Sequence, residues 1–489
     1  MLRIIGTGLL ALIVVTVGTG LYLADKIYLR DGHITVPDDR LDRRIPVVEL
    51  REDLAVLVEV FEETHVDFAA INGRSYAAAV EDLSARIDGP MTRIEFYRLL
   101  GPLNSLLSDG HTSVLRPTEE IDRYERDGGL YLPLQVDLDA GRIRIARPFG
   151  PGPDFMPGDE ILSVNEVPAA ELSRAVLSYQ SGETSALRNA YAERSFYRAL
   201  PVLGIGSPFD IEFERNGERM FQRVGGMTRG AYRAQREGSG SGGNAFEILN
   251  QTTALLTFSE MPSQLGAFRA FLDTSFDELA ANDITTLIVD IRANGGGDSR
   301  AGDLLLRYIS DRDYPALERV DVKVTERIQA YYRTLLPRGF RWLPLNRFVP
   351  ILRRIETSEP GSVFAVYPDG EAPEDWAGSR ENAFGGQVIV LTGPATYSSA
   401  ALFAAPLSHF DQAIFIGEET GEPMVFFGEN YVFDLPNSRL QAVVSHKRFD
   451  LVGDGDHQSG LQPDIEVEAD RALEEALAFS SDRSRRAGP

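Results

Sequence analysis

Thr286-Leu287-Ile288-Val289-Asp290 is an apolar run closed by an acid, and it leads straight into Ile291-Arg292-Ala293-Asn294-Gly295-Gly296-Gly297. A short run of this kind fits a strand buried on both faces. Farther along, Val388-Ile389-Val390-Leu391-Thr392 repeats the pattern and ends in Gly393-Pro394-Ala395-Thr396-Tyr397-Ser398-Ser399, ahead of a helix-like stretch. One strand delivers a glycine-rich turn with free backbone N–H groups. The other delivers a serine where strand turns into helix. Together they have the parts of an acyl-transfer site, a nucleophile and an oxyanion hole. Around them, strands at 253–258 and 413–416 alternate with helices at 268–279, 301–309 and 400–409. That alternation predicts an α/β core over residues 245–480.

Upstream the texture changes. Residues 45–128 read as a helical subdomain: Leu54, Leu57, Val58 and Phe61 share one helix face, and Phe96, Leu99, Leu100 and Leu103 repeat the spacing. Gly101-Pro102 should kink or end that second helix. Residues 129–228 read as β-rich, because 131–136 and 142–146 alternate with period two. Strands at 209–213 and 220–224 would complete the unit. Within it, Met156-Pro157-Gly158-Asp159-Glu160-Ile161-Leu162-Ser163-Val164-Asn165-Glu166-Val167-Pro168 resembles the strand-and-turn signature of a PDZ domain. Gly238-Ser239-Gly240-Ser241-Gly242-Gly243 is the clearest linker. An insertion at about 311–378 carries Arg333, Arg338, Arg341, Arg347 and Arg353 with Tyr331, Tyr332, Phe340, Trp342 and Phe348. It reads as a packed excursion with a basic face; the sharper readings are contact with anionic lipid or a lid.

The N-terminal segment, residues 1–24, contains an uncharged, mostly apolar run at 4–24, flanked by Arg3 and by Asp25 and Lys26. As a helix it would be about 31 Å long, enough for a bilayer core. Tyr22-Leu23-Ala24 is a poor exit for signal cleavage, so the run predicts a transmembrane anchor, with a cleaved signal as the alternative. The expected location is the cell membrane, single-pass, with the bulk of the chain outside the cytoplasm (periplasmic). The net charge of −24 over 489 residues argues against nucleic-acid binding. The absence of cysteine excludes disulfides, thiol catalysis and Cys-ligated zinc. No pair of histidines has metal-ligand spacing, and neither metal nor cofactor is expected. The sequence does not fix the oligomeric state.

A serine nucleophile needs a base. The histidines are His33, His65, His111, His409, His446 and His457. His65 and His409 lie in helical patterns. His111, in a turn between Asp109 and Thr112, and His446 and His457, late in the core, stay open as candidates.

Four pieces, Asp109-Gly110-His111-Thr112, residues 290–297, Thr396-Tyr397-Ser398-Ser399-Ala400 and Ile416-Gly417-Glu418-Glu419-Thr420-Gly421, with the closing Gly460-Leu461-Gln462-Pro463-Asp464, resemble the carboxyl-terminal-processing and tricorn-type serine peptidases. The resemblance implies a Clp-protease/crotonase-like core. It implies Ser398 as nucleophile, with Gly295, Gly296 and the Ser399 N–H forming the oxyanion hole. The processing branch uses a downstream lysine as base, in a Gly-Lys-Gly context. Here Gly421-Glu422-Pro423-Met424-Val425-Phe426-Phe427 holds none. The tricorn-like branch uses the histidine of the Asp-x-His-Thr motif, which implies His111. Glu418, Glu419, Asp454 and Asp456 are the candidates for the acid that orients it, with Asp454 and Asp456 favoured by their place late in the core. Where many relatives carry a glutamate after the serine, this chain has Ala401. The expectation is a membrane-anchored serine endopeptidase acting on peptide or protein. The rivals are a catalytically silent peptide-binding or scaffold member, and an esterase or amidase with the same chemistry.

Overall fold

The computed structural model describes residues 35–73, 75–139, 141–150, 154–236, 243–310, 314–334, 349–368, 383–453 and 455–486. The apolar run at 4–24, His33, Asp454, most of the Gly/Ser linker and the 338–348 part of the basic insertion lie outside them. Among the described residues no helix is long and apolar enough to cross a membrane.

Helix α1 (Val47–Thr64) buries Leu50, Leu54, Leu57 and Phe61 on one face. Helix α2 (Arg93–Leu100) starts at a capping box in which Thr92 and Glu95 satisfy each other's backbone N–H. It gives way at Gly101-Pro102 to a 3-10 turn (Gly101–Leu106), since proline has no N–H to continue the ladder. The two-residue strand β1 (Ser113–Val114) and helix α3 (Thr118–Arg126) follow.

The β-rich unit holds β2 (Leu134–Asp139), β3 (Arg142–Pro148), β4 (Glu160–Val164), β5 (Val167–Pro168), β6 (Phe209–Arg215) and β7 (Glu218–Val224). They form an antiparallel sheet in the order β2-β3-β4-β6-β7, with β5 on β4. Helices α4 (Ala169–Ser178) and α5 (Ser185–Val202) cover it and bury Leu172, Val176 and Phe196 against Ile143, Ile161 and Phe209.

The remaining strands are β8 (Ala245–Ile248), β9 (Thr253–Thr257), β10 (Thr286–Asp290), β11 (Leu317–Lys323), β12 (Val363–Val366), β13 (Gln387–Thr392), β14 (Ile414–Gly417), β15 (Val425–Asp434), β16 (Gln441–Leu451) and β17 (Ile465–Glu466). One sheet runs β17-β14-β13-β10-β9-β8, parallel except for β8. Helices α6 (Leu265–Ala281), α7 (Ser299–Ile309) and α8 (Ser399–His409) pack on one face. Helix α9 (Ala472–Arg486) packs on the other, where Ala472 and Ala476 meet Ile288, Ile389 and Leu391. Covering both faces is what lets the middles of β10 and β13, Leu287–Val289 and Val388–Leu391, be apolar on both sides.

A second sheet joins the units. It runs β1-β16-β11-β12, with β15 on β16. β1 pairs antiparallel with Ala442 and Val443 of β16. The β15–β16 hairpin also sends Phe427, Leu435, Leu440 and Val444 into the core of the helical subdomain. Of the basic insertion, Arg327 is seen to bridge Glu59 and Glu63 of α1 at 2.8 and 2.9 Å.

Candidate active site

Parallel pairing of β10 with β13 sets Asp290 beside Leu391, so the glycine turn and the serine turn leave the sheet at the same edge. Buried Asn294 ties them together. Its Nδ2 donates to Phe258 O at 2.7 Å, its Oδ1 accepts the Gly296 N–H at 2.9 Å, and its carbonyl accepts the Tyr397 N–H at 2.9 Å. Thr396 Oγ1 donates to Ile291 O at 2.9 Å and fixes the serine turn from the other side.

Ser398 sits at the N-cap of α8 with φ 56° and ψ −127°. Positive φ costs a non-glycine residue energy, and such strain gathers at functional sites. The Ser398 N–H donates to Glu422 Oε2 at 2.6 Å. Ser399 Oγ donates to Gly297 O at 2.9 Å, closing the glycine turn against the helix start.

His111 reaches this turn from the far side of the chain. The loop that carries it is anchored by β1 on β16 and by Thr112, whose Oγ1 accepts the Ser445 N–H at 3.1 Å. His111 Nε2 lies 3.0 Å from Ser398 Oγ. Burial pushes the His111 imidazole below the usual histidine range, against the opposing charge of Asp109 and a hydrogen bond with the Phe427 backbone. Asp109 is buried, which by itself would raise its pKa. The hydrogen bond and charge of His65, the charge of His111 and the Thr112 hydroxyl outweigh burial and hold it at about 2. Its Oδ1 accepts the His111 backbone N–H at 2.8 Å and lies 3.9 Å from His111 Nδ1. Its Oδ2 lies 3.2 Å from His65 Nε2.

Of the four carboxylates expected to orient His111, the three among the described residues bind backbone N–H groups of turns. Asp456 Oδ1 accepts the N–H groups of Gln458 and Ser459 at 2.8 and 2.9 Å. Glu418 Oε2 accepts Ala469 N–H at 3.0 Å, and Glu419 Oε1 accepts Gly460 N–H at 2.6 Å. These acids hold turns together, which sequence spacing does not reveal. Asp454 lies outside the described residues. The oxyanion set also narrows. The N–H of Gly296 is spent on Asn294 Oδ1, whereas those of Gly295 and Ser399 donate to no acceptor among the described residues. His446 is buried against Glu429 and Tyr332, and His457 stacks on Phe427 at 5.5 Å. Lys447 pairs with Glu429 at 2.9 Å.

Three residues went unremarked in the sequence. Tyr397 Oη lies 3.0 Å from His111 Nδ1. Glu183, between α4 and α5, accepts from Tyr397 Oη at 3.3 Å. Burial, then the charge of Asp109, pushes Glu183 up to about 8. Glu422 is fully buried, and burial, then the charge of Glu183, raises it well above the usual carboxylate range. Tyr397 adjoins the nucleophile, and Glu422 falls where the lysine was sought. Nothing local marks Glu183.

The sequence profile of peptidase family S41 matches residues 252–467. Among curated proteins the sequence finds no match. In fold the chain is similar to mature CPAF, with a TM-score of 0.57 and 15% identity over 89% of this chain and 96% of that one. It is similar likewise to mature CPAF complexed with lactacystin, with a TM-score of 0.55 and 14% identity over 89% and 98%. The photosystem II D1 C-terminal processing protease aligns over 86% and 93% at 16% identity with a TM-score of 0.43.

Proposed function

We propose that this chain, a serine-type peptidase of family S41, hydrolyses peptide bonds through an acyl-enzyme on Ser398 with His111 as general base. The observation that carries the reading is the 3.0 Å separation of His111 Nε2 and Ser398 Oγ. An imidazole held below the usual histidine range keeps its Nε2 lone pair free at neutral pH. His111 takes the Ser398 proton as Oγ attacks the carbonyl carbon. The charge on the carbonyl oxygen is received by the N–H groups of Gly295 and Ser399. The imidazolium, stabilised by ionised Asp109, then protonates the leaving amine, and water, activated by the same histidine, releases the acid. A fluorophosphonate probe tests the assignment. Ser398→Ala should abolish labelling and peptide cleavage, and His111→Ala should lower both by roughly 1000-fold or more. Wild-type labelling in either variant refutes it.

The 4–24 run supports a membrane anchor, with the catalytic part outside the cytoplasm. The full chain should remain with the membrane after carbonate extraction, and a chain starting at residue 35 should not. Release of the full chain into the soluble fraction would remove the anchor. The edge strand β2 beside α5 supports the PDZ-like reading of the β-rich unit. Yet Glu193 of α5 accepts the Leu138 N–H of β2 at 2.8 Å, where an added peptide strand would pair.

A further inference from the structure

His111 must be held so that Nδ1 carries its proton and Nε2 faces Ser398. In a Ser-His-Asp arrangement a carboxylate does this by direct hydrogen bond. Here the carboxylate beside the ring, Asp109, is 3.9 Å from Nδ1, too far for a hydrogen bond. Its oxygens already serve the His111 N–H, the Thr112 hydroxyl and His65. Among the described residues the side-chain atom within reach of Nδ1 is the hydroxyl of Tyr397 at 3.0 Å, beside the Phe427 backbone that also hydrogen-bonds the ring. That hydroxyl is in turn 3.3 and 3.4 Å from the two carboxyl oxygens of Glu183. Glu183 Oε1 also accepts the Gly110 N–H at 3.3 Å, next to His111 in sequence. The Tyr397 ring stacks on His111 at 4.8 Å and meets Tyr191 of α5 edge-on at 5.7 Å.

We infer that Tyr397 and Glu183 are the positioning residues for the base, a hydroxyl-and-carboxyl relay standing where a triad carboxylate would be. The inference rests on the Ser398/His111 reading above. Its logic is one of donors and acceptors. Tyr397 has one proton to give. Given to Glu183 Oε1, which already accepts the Gly110 N–H and so presents a lone pair, it leaves the phenolic lone pair facing Nδ1, and Nδ1 carries the ring proton. Nε2 is then the acceptor for the Ser398 proton. Without Glu183 the Tyr397 proton is free to turn toward Nδ1, which selects the wrong tautomer. The relay also explains why the nucleophile turn carries a bulky aromatic at 397. Glu183 comes from the β-rich unit and Tyr397 from the peptidase core, so docking of the two units completes the relay. The groups around Glu183 are Asp109 and His111 of the loop, Tyr397 and Glu422 of the core, and Tyr191 and Arg188 of α5. Acids and phenols outnumber the one arginine, in keeping with a carboxyl that stays protonated up to about 8.

The test uses the full chain and the rate of fluorophosphonate labelling, resolved into a maximal rate and a half-saturating concentration, with thermal unfolding alongside. Tyr397→Phe should lower the maximal rate roughly 10- to 100-fold and leave half-saturation within about twofold, less than the ~10⁴-fold loss for an ionised triad carboxylate because the relay is neutral. Glu183→Ala should match it. Glu183→Gln, whose amide oxygen still accepts from Tyr397, should keep more than about half the wild-type rate. The losses in the Tyr397→Phe/Glu183→Ala double variant should not add, since the two act as one unit. The inference is overturned if Tyr397→Phe labels at the wild-type rate, if the losses add, or if Glu183→Gln is as slow as Glu183→Ala. Should Tyr397→Phe fail to fold, the Glu183 pair decides alone. If the wild type labels and Ser398→Ala does not, while the relay variants label normally, only the relay falls. If Ser398→Ala labels, the site reading falls with it.

Discussion

A Cβ built on Gly296 would stand 2.8 Å from Ser398 Cβ, 2.9 Å from Ser399 N and 3.0 Å from Tyr397 O, at a φ of +91°. The same atom on Gly295 would meet only Arg194 Nη1, at 3.8 Å. The two glycines therefore do different work. Gly296 lets two backbones touch under the nucleophile; Gly295 keeps an N–H open. Gly296→Ala should cost roughly 1–3 kcal/mol of stability and slow labelling roughly 100-fold by displacing the Ser399 N–H. Gly295→Ala should unfold at the wild-type temperature. Equal unfolding temperatures for the two variants would contradict the packing argument. At this scale Ser398 and the glycine turn stand out in the sequence by residue type, whereas His111 was singled out from His446 and His457 only by the resemblance to the tricorn-like branch. The partners of His111 were not. Tyr397 and Glu183 meet across 214 residues of chain. Asp456, favoured by its place late in the core, and Glu418 and Glu419 all stayed candidates until their oxygens were found on backbone N–H groups.

Among the elements, those with a strong period were readable. α8, α6 and β10 appear where apolar spacing put them, with ends displaced by a few residues at most. Gly101-Pro102 ended its helix as proline should. α5 escaped notice, because its buried face, Leu187, Phe196 and Leu200 among others, is diluted by arginines, a glutamate and tyrosines. The β15–β16 hairpin also escaped notice, and it matters most. β15 is buried at one end and half-exposed at the other, so no single alternation runs its length. Its turn is held by Asp53 of α1, which accepts the N–H groups of Asn437 and Ser438 at 2.9 and 2.7 Å. Arg93 of α2 binds Glu119, Glu120 and the carbonyl of Arg439 around the same turn. A helical subdomain was expected beside the core; that it grips the strand on which the His111 loop is hung was not.

Across the whole molecule, buried acids set the response to pH. Burial raises Glu183 to about 8 and Glu193 to about 7 from an ordinary 4.5. The folded chain thus binds more protons than the unfolded chain between those values, and their contribution is lost as pH rises through them. Buried His446 is depressed to about 4 from 6.5, so its contribution is lost as pH falls across that window. Above pH 6.5 the histidine no longer offsets the acids, and a net charge of −24 adds self-repulsion of the same sign. The unfolding temperature should therefore fall from pH 6.5 to pH 8, and Glu183→Gln with Glu193→Gln should flatten the fall by on the order of 2–4 °C. An unchanged slope in the double variant would show that these carboxyls ionise freely in the fold. The joining of β1 to β16 has a consequence in time as well as in space. A chain still on the ribosome holds His111 and Ser398 as soon as the serine turn has emerged. It lacks the strand that brings them into register until Gln441–Leu451 has followed. Until that strand is in place, the growing chain carries both side chains without holding them 3.0 Å apart.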